Sequence, residues 1–339
     1  MRTIKLPDQL NIFLAIFLFV LNCSSLPIMD SRDWKDNSFP ISFEKNTYTV
    51  TRFKTKSPSK KNIVLLDPVF LSKEMLYPSS FTTTFTPGDK SGLTPYLITH
   101  EVANTKDHAT LIPSFLEEGF NVYLIQFPET ANLKSTAGDL NRILDEIVKQ
   151  DSSDSFIIGG LSLGGQTLAH YLQLDIHPKI KKIFFLGTGF DYNHTGSLLE
   201  KMKTTPSKGG EYKCNLRERE NLCNQYITSI YLDKAHRNAL SYPVKIPELE
   251  KDPITSFSKL SSSPLPILIV FGKLDGISPE ESVLIPFFPH RKGNSKLISI
   301  LEASTANYMD LDYDHFDLFY HKKSKSEIYS KMIDWMEED

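Results

Sequence analysis

Short apolar runs alternate with amphipathic stretches along most of this chain. Residues 62–66 and 267–271 are continuous apolar runs, which are typical of strands buried on both faces. Residues 42–54 instead alternate between apolar and polar positions, like an antiparallel strand with one face in water. A helical face is predicted where apolar residues recur at three- and four-residue spacing, at Leu140, Ile143, Leu144, Ile147 and Val148.

The order of these elements predicts an α/β fold. Further strands are expected at 121–127, 155–158, 182–186 and 297–301, and further helices at 111–118, 167–172 and 328–336. Strands that alternate with helices pair mainly in parallel and carry helices on both faces. We therefore predict a doubly wound, mostly parallel sheet.

One strand-to-helix junction carries a motif with chemical meaning. The stretch FIIGGLSLGGQTLAHYL places Ser162 within Gly-x-Ser-x-Gly, between an apolar strand and a helical pattern. In this motif a sharp turn lifts the serine hydroxyl above the sheet, and small neighbours let strand and helix approach closely. An ordinary glycine-rich turn would use the same residues, so the motif alone does not establish a nucleophile.

A serine hydroxyl becomes nucleophilic when a base accepts its proton and an acid orients that base. Candidates for both follow Ser162 in the sequence. Asp275 lies in the turn after a buried strand, and His315 lies in the loop between the last predicted strand and the last helix. The carboxyl ends of parallel strands share one edge of a sheet, so these side chains are expected to meet. Asp191, directly after the strand at 182–186, is the alternative acid.

Ser162, Asp275 and His315, in that order and at those strand ends, resemble the catalytic triad of the α/β-hydrolase fold. The resemblance runs from about residue 42 to the end of the chain. Within it, LLDPVFLS, GLSLGG and DYDHFDLF resemble the branch that contains acid lipases and polyhydroxyalkanoate synthases. The synthases use a cysteine nucleophile, so Ser162 favours a serine hydrolase that acts on esters.

The resemblance also implies an oxyanion hole, which needs two backbone N–H groups. Leu163, directly after the nucleophile, is the expected first donor. Pro68 has no N–H, so the second donor is expected to be Val69, or Phe70 if the turn is one residue longer. Lipases of this branch carry His-Gly where this chain has Asp67 and Pro68. A carboxylate at that place would oppose an oxyanion unless it pointed away.

The N-terminus predicts export. Met1, Arg2 and Lys5 form a short basic region, and residues 12–21 form an apolar run too short to span a bilayer. We therefore expect a signal peptide over 1–22.

The end of the apolar run, VLNCSS, resembles a relaxed bacterial lipobox with Cys23 as the first mature residue. A lipidated tether is then expected over 23–40 and the hydrolase domain over 41–339. The protein would be a membrane-anchored lipoprotein of a bacterial cell envelope. A plain signal peptide, or an uncleaved anchor, is the alternative.

An irregular block at about 191–264 lies where the α/β-hydrolase fold usually carries a cap over its pocket. Cys214 and Cys223 in this block are close enough in sequence for one disulfide loop in an oxidising compartment, and two unpaired thiols are the alternative. Aromatic residues of this block would line an acyl or aromatic pocket or form the cap's own core, among them Tyr192, Tyr212, Tyr226 and Tyr231.

Composition, charge and motifs argue against some classes of partner and cofactor. The chain has 339 residues, 40% of them hydrophobic, and its 38 basic and 41 acidic residues give a net charge of −3 without a basic stripe. No nucleic-acid partner is therefore expected. No cofactor or metal is expected either, because the sequence lacks a phosphate-binding glycine loop and a cluster of ligands at metal spacing.

The expected partners are a small-molecule or lipid ester substrate and the membrane that holds the anchor. Two other functions fit the same fold. One is an acyltransferase, in which an alcohol or thiol replaces water, and the other is a binding lipoprotein that has lost catalysis.

Overall fold

The computed structural model describes residues 35–43, 46–55, 59, 61–68, 110–126, 132–191, 210–213, 243–246, 265–290, 297–315, 317–321 and 323–338. The strands are β1 (Lys35–Ser42), β2 (Thr47–Lys54), β3 (Asn62–Leu66), β4 (Asn121–Gln126), β5 (Phe156–Leu161), β6 (Ile180–Leu186), β7 (Gly210–Lys213), β8 (Pro243–Ile246), β9 (Ile267–Gly272) and β10 (Ile298–Ala303). The α-helices are α1 (Leu111–Glu117), α2 (Leu133–Asp151), α3 (Leu163–Tyr171), α4 (Glu280–Leu284), α5 (Asp317–Tyr320) and α6 (Ser330–Glu337). A π-helical stretch (Lys325–Tyr329) leads directly into α6.

Eight of these strands form one sheet, in the order β1-β2-β4-β3-β5-β6-β9-β10. The β1–β2 and β2–β4 pairs are antiparallel. The five pairs from β4 to β10 are parallel. The predicted doubly wound, mostly parallel sheet is therefore confirmed.

Helices cover both faces of the sheet. Strand β3 is buried along its whole length, and its alternate residues Val64 and Leu66 belong to the same core as Leu140 of α2 and Leu168 of α3. The opposite face packs against α1, where the ring of Phe115 lies edge-on to that of Phe184 in β6, with centroids 6.3 Å apart. Burial on two faces explains why the central strands read as continuous apolar runs.

The sheet begins earlier than the sequence indicated. Strand β1 starts at Lys35 and pairs with β2 along its length, from Lys35 opposite Lys54 to Ser42 opposite Thr47. Residues 35–40, which the sequence places in the tether, therefore belong to this strand. The stretch KDNSFPIS is the edge strand of the described sheet. Polar residues and a proline are tolerated there because no described strand pairs with its outer side.

The block between β6 and β9 contains an antiparallel pair, β7 with β8, outside the main sheet. Tyr212 lies in β7. Cys214, Cys223 and the other tyrosines of the predicted cap lie outside the described residues, as do the predicted signal peptide and Cys23. Among the helices that are described, none combines the length and apolar character needed to span a bilayer.

A partly buried charge cluster ties the end of α2 to β2 and β4. Asp151, the last residue of α2, accepts hydrogen bonds from Arg52 (2.9 Å), Lys54 (2.5 Å) and the Tyr123 hydroxyl (2.7 Å). Burial alone would raise the pKa of Asp151, but these hydrogen bonds outweigh burial and hold that pKa below its ordinary value. The two cations also compensate for a carboxylate at the negative end of a helix dipole.

Replacing Asp151 with Asn is expected to lower the free energy of unfolding by about 1–3 kcal/mol at pH 7, because charge-assisted hydrogen bonds are lost. A lowered folded-state pKa stabilises the protein above the ordinary carboxyl pKa of 3.8, and this stabilisation is lost as the pH falls through the folded-state pKa. Urea unfolding at pH 7 and at about pH 3 should therefore show a difference in stability between wild type and Asp151→Asn that shrinks in acid.

The control is Glu146→Gln, which breaks only an exposed pair with Lys149 and should change the free energy of unfolding by less than about 0.5 kcal/mol. An equal Asp151→Asn effect at both pH values would contradict this assignment.

Candidate active site

Ser162 occupies a strained turn between β5 and α3. Its backbone angles are φ 48° and ψ −118°, in a region that L-residues rarely adopt. The Ser162 N–H donates to the carbonyl of Leu186 in the neighbouring strand β6 (2.8 Å), and the Ser162 carbonyl accepts from the N–H of Gly165 (3.0 Å). These bonds hold the serine at the carboxyl edge of the sheet.

The glycines of the motif bring α3 against the end of β3. A Cβ atom on Gly164 would overlap the carbonyl oxygen of Leu66 and lie 2.7 Å from the carbonyl oxygen of Asp67. Only glycine fits there without a shift of one backbone against the other. The chain leaving β3 therefore passes directly beside the first turn of α3.

Ser162, His315 and Asp275 form a hydrogen-bonded series. Ser162 Oγ lies 3.1 Å from His315 Nε2, and His315 Nδ1 lies 2.8 Å from Asp275 Oδ2. The three residues are 8%, 1% and 3% exposed, respectively. The structure thus brings together all three residues singled out in the sequence as nucleophile, base and acid.

The contacts of Asp275 fix the direction of proton transfer. Its Oδ1 accepts from the backbone N–H groups of Ile277 (2.9 Å) and Ser278 (2.7 Å), which leaves Oδ2 facing His315. A carboxylate accepts hydrogen bonds, so the proton of a neutral imidazole lies on Nδ1 and Nε2 is the acceptor. The lone pair of Nε2 then faces the Ser162 hydroxyl, as a general base requires.

Asp191 is placed differently. Its backbone N–H donates to the hydroxyl of Ser282 (3.0 Å), and that hydroxyl lies 3.2 Å from its carbonyl oxygen. The carboxylate at hydrogen-bonding distance from His315 Nδ1 is that of Asp275. The geometry therefore favours Asp275 over Asp191 as the acid.

Two buried aspartates hold the loop that carries His315. The Asp317 N–H donates to Asp314 Oδ1 (2.8 Å), and the Asp314 N–H donates to Asp317 Oδ2 (3.1 Å). Beyond them, the Tyr329 hydroxyl lies 2.8 Å from the Leu318 carbonyl oxygen, at the far side of the short helix α5. Burial raises the pKa of Tyr329, so its hydroxyl stays protonated and able to donate. The bonds between Asp314 and Asp317 thus bracket His315, and the Tyr329 hydroxyl holds the helix that follows.

One predicted oxyanion donor is described and the other is not. Leu163 is the first residue of α3, so its N–H has no acceptor within the helix and is available to a ligand at the serine. Asp67 and Pro68 are buried, and the Asp67 N–H donates to the Ile125 carbonyl (3.1 Å). Val69 and Phe70 lie outside the described residues.

Two contacts at this edge involve residues that the sequence did not single out. The Thr188 hydroxyl donates to the Ser162 carbonyl (3.0 Å), and the Ser278 hydroxyl donates to the Gly187 carbonyl (3.0 Å). Only their positions in the sequence could have pointed to them, because each follows a buried strand that ends at this edge. Neither residue belongs to a recognisable motif.

A groove of about 450 Å³ opens at the opposite edge of the sheet, near the amino ends of β3, β4, β5 and β6. Two of the lysines that line it have partners: Lys61 pairs with Glu337, and the ammonium of Lys182 donates to the carbonyl of Trp335 at the end of α6 (2.7 Å). Because the groove lies at the edge opposite Ser162, it is not a substrate pocket for that residue. Within the described residues, no group of three or more His, Cys, Asp or Glu side chains is arranged to hold a metal ion.

Solved structures share this architecture. A Sulfolobus solfataricus protein provisionally named a lipase matches with a TM-score of 0.54 at 15% identity, over 90% of this chain and 94% of that chain. A soluble variant of the Saccharomyces cerevisiae monoglyceride lipase matches with a TM-score of 0.53 at 11% identity, over 89% of this chain and 94% of that chain. The acylaminoacyl peptidase of Pyrococcus horikoshii gives 0.51 at 9% identity, over 95% of this chain but 43% of its own.

These matches, with the strand order and the flanking helices, show that the chain has the α/β-hydrolase fold, as the sequence predicted. At such low identities the likeness defines the fold alone. No family model and no curated protein sequence matches the chain.

The two candidate acids are separated by a matched pair of substitutions. Asp275→Asn should slow the reaction of Ser162 with a fluorophosphonate by roughly 10³–10⁴-fold, because an amide no longer enforces the required imidazole tautomer. Asp191→Asn should leave the labelling rate within about twofold, since the described contacts place the other carboxylate on His315. The measurement is the time course of labelling of the purified, folded proteins. A slow Asp191→Asn beside a fast Asp275→Asn would reverse the assignment.

Proposed function

We propose that this protein is a serine hydrolase that acts on ester bonds. The observation that carries the proposal is the buried hydrogen-bonded series from Ser162 through His315 to Asp275, set on a strained strand-to-helix turn. The shared fold with lipases supports it at the level of architecture. The chemistry itself is argued from the site.

The proposed reaction has two halves. His315 Nε2 accepts the Ser162 proton as Oγ attacks the ester carbonyl, while Asp275 stabilises the imidazolium that forms. The N–H of Leu163, with that of Val69 as the proposed second donor, binds the oxyanion. The imidazolium protonates the leaving alcohol and an acyl-enzyme remains. Water then gives a proton to His315 Nε2 as it attacks this acyl-enzyme. The imidazolium returns that proton to Ser162 Oγ as the acyl bond breaks and the acid is released.

We also propose that the enzyme is exported and anchored by lipid at Cys23. The support is the basic start of the chain, the apolar run at 12–21 and the lipobox-like VLNCSS that ends it. The anchor would hold the domain beside a membrane, where lipid esters are available as substrates. Residues 23–34 would form the tether, because β1 begins at Lys35.

Labelling with a fluorophosphonate tests the nucleophile directly. In the detergent-solubilised full chain, mass spectrometry should locate the probe on Ser162, because only an activated serine reacts quickly. Ser162→Ala should abolish both labelling and turnover of short-chain p-nitrophenyl esters while leaving the thermal midpoint within a few degrees. Ser114→Ala, which removes a buried serine hydroxyl from α1, should still label at the wild-type rate.

A folded wild-type protein that does not label would contradict the hydrolase proposal and favour a binding protein. Added alcohol or thiol acceptors separate hydrolysis from acyl transfer. Free acid as the main product is the expected result, and preferential formation of a new ester or thioester would identify a transferase.

Metabolic labelling with palmitate in a bacterial host tests the anchor. The wild-type chain should incorporate the label and fractionate with membranes, whereas Cys23→Ser should lose both properties. Cys214→Ser is the matched cysteine control and should retain them. Label that persists in Cys23→Ser would place the lipid elsewhere, and an unlabelled wild type would favour a plain signal peptide.

A further inference from the structure

A tripeptide that no motif singles out contacts all three parts of the candidate active site. Residues 187–189, with the sequence Gly-Thr-Gly, leave the carboxyl end of β6 and cross the edge of the sheet. We refer to them as the crosspiece. The Gly187 N–H donates to the Val270 carbonyl of β9 (2.9 Å), so the crosspiece is fixed where it begins.

On the serine side, Thr188 fixes the strained turn. The residue is fully buried, and its hydroxyl lies 3.0 Å from the Ser162 carbonyl oxygen and 3.4 Å from that of Gly160. The same side chain packs against Gly165, where an added Cβ would overlap Thr188 Oγ1. The side-chain amide of Gln166 donates to the Gly189 carbonyl and adds a second link to α3.

On the histidine side, Gly187 leaves room for the imidazole. A Cβ at Gly187 would lie 3.2 Å from His315 Cε1 and 3.3 Å from Nδ1, which is closer than ordinary packing allows. Its φ of 61° also disfavours any side chain. The crosspiece backbone is therefore one wall against which the ring of His315 rests.

On the acid side, Ser278 links the crosspiece to Asp275. The Ser278 hydroxyl donates to the Gly187 carbonyl (3.0 Å), while its backbone N–H donates to Asp275 Oδ1 (2.7 Å). One residue thus bonds both the crosspiece and the carboxylate. A shift of either would be transmitted to the other through a single buried residue.

We propose that the crosspiece positions the catalytic groups, with Thr188 as the positioning residue for the nucleophile. The Ser162 peptide is strained and tends to rotate towards a relaxed conformation, which would swing Oγ away from His315 Nε2. The Thr188 hydroxyl opposes that rotation because it fixes the Ser162 carbonyl. Misplacement of a reacting atom by about 1 Å can cost about 10²-fold in rate.

Isosteric substitution tests this role, which rests on the proposed hydrolase function. Thr188→Val removes the hydroxyl and keeps the shape, and it should lower kcat and the fluorophosphonate labelling rate about 10- to 100-fold with KM nearly unchanged. Thr188→Ser restores a hydroxyl and should recover to within about threefold of wild type. The control is Thr167→Val in the same helix α3. Thr167 Oγ1 is buried and has no hydrogen-bond partner among the described residues, so its loss should leave both rates within about twofold.

The outcomes separate the two proposals. A wild type that neither labels nor hydrolyses refutes the function, whereas an active wild type with an equally active Thr188→Val refutes the positioning role. Thr188→Ser as slow as Thr188→Val also refutes it, since restoring the hydroxyl should then have helped. If Thr188→Val does not fold, Ser278→Ala decides, with an expected loss of about 3- to 30-fold in kcat at unchanged KM and an overturning result of wild-type kcat.

Discussion

The backbone of Ser162 is the constraint on which the rest of the site depends. A non-glycine residue in this region of φ and ψ costs on the order of 1–3 kcal/mol, and it persists only where the surroundings impose it. Here the surroundings are the Leu186 carbonyl, the Gly165 N–H and the Thr188 hydroxyl, each bonded to the Ser162 peptide. The strain lifts the hydroxyl off the sheet, so that His315 Nε2 meets Oγ and not the backbone.

Sheet order explains how residues far apart in sequence reach this point. Ser162 and His315 are separated by 153 positions, and His315 and Asp275 by 40. Strands β5, β6, β9 and β10 are adjacent in that order and parallel, so their carboxyl ends form one edge. Because β6 lies between the strand of the serine and the strand of the acid, the chain leaving β6 must pass between the two residues. The contacts of residues 187–189 with the loops of all three residues follow from that order.

Elements whose residues are buried in a regular pattern could be predicted from the sequence, and elements without such a pattern could not. The central strands and α2 were predictable because burial on two faces or on one helical face leaves a period in the residues. Strand β1 was not predicted because it is an edge strand whose polar residues do not alternate regularly with apolar ones. Motif and order pointed to Ser162, Asp275 and His315, but Asp191 stayed open because both aspartates follow buried strands. The choice between them depends on which loop turns towards His315 Nδ1, and the sequence does not show this. The contact of Thr188 with Ser162 could not be predicted either, because it depends on the path of a turn.

The polarity of the hydrogen-bonded series follows from how its last member is bonded. Two backbone N–H groups engage Asp275 Oδ1, so the carboxylate is held as an acceptor and presents Oδ2 to the imidazole. The imidazole must then carry its proton on Nδ1, and Nε2 can serve only as an acceptor until the serine gives up its proton. The loop of His315 is bonded through Asp314, Asp317 and Tyr329, which limits its freedom to turn the ring away. In the proposed reaction the three side chains are therefore oriented in advance, and substrate binding need not supply that order.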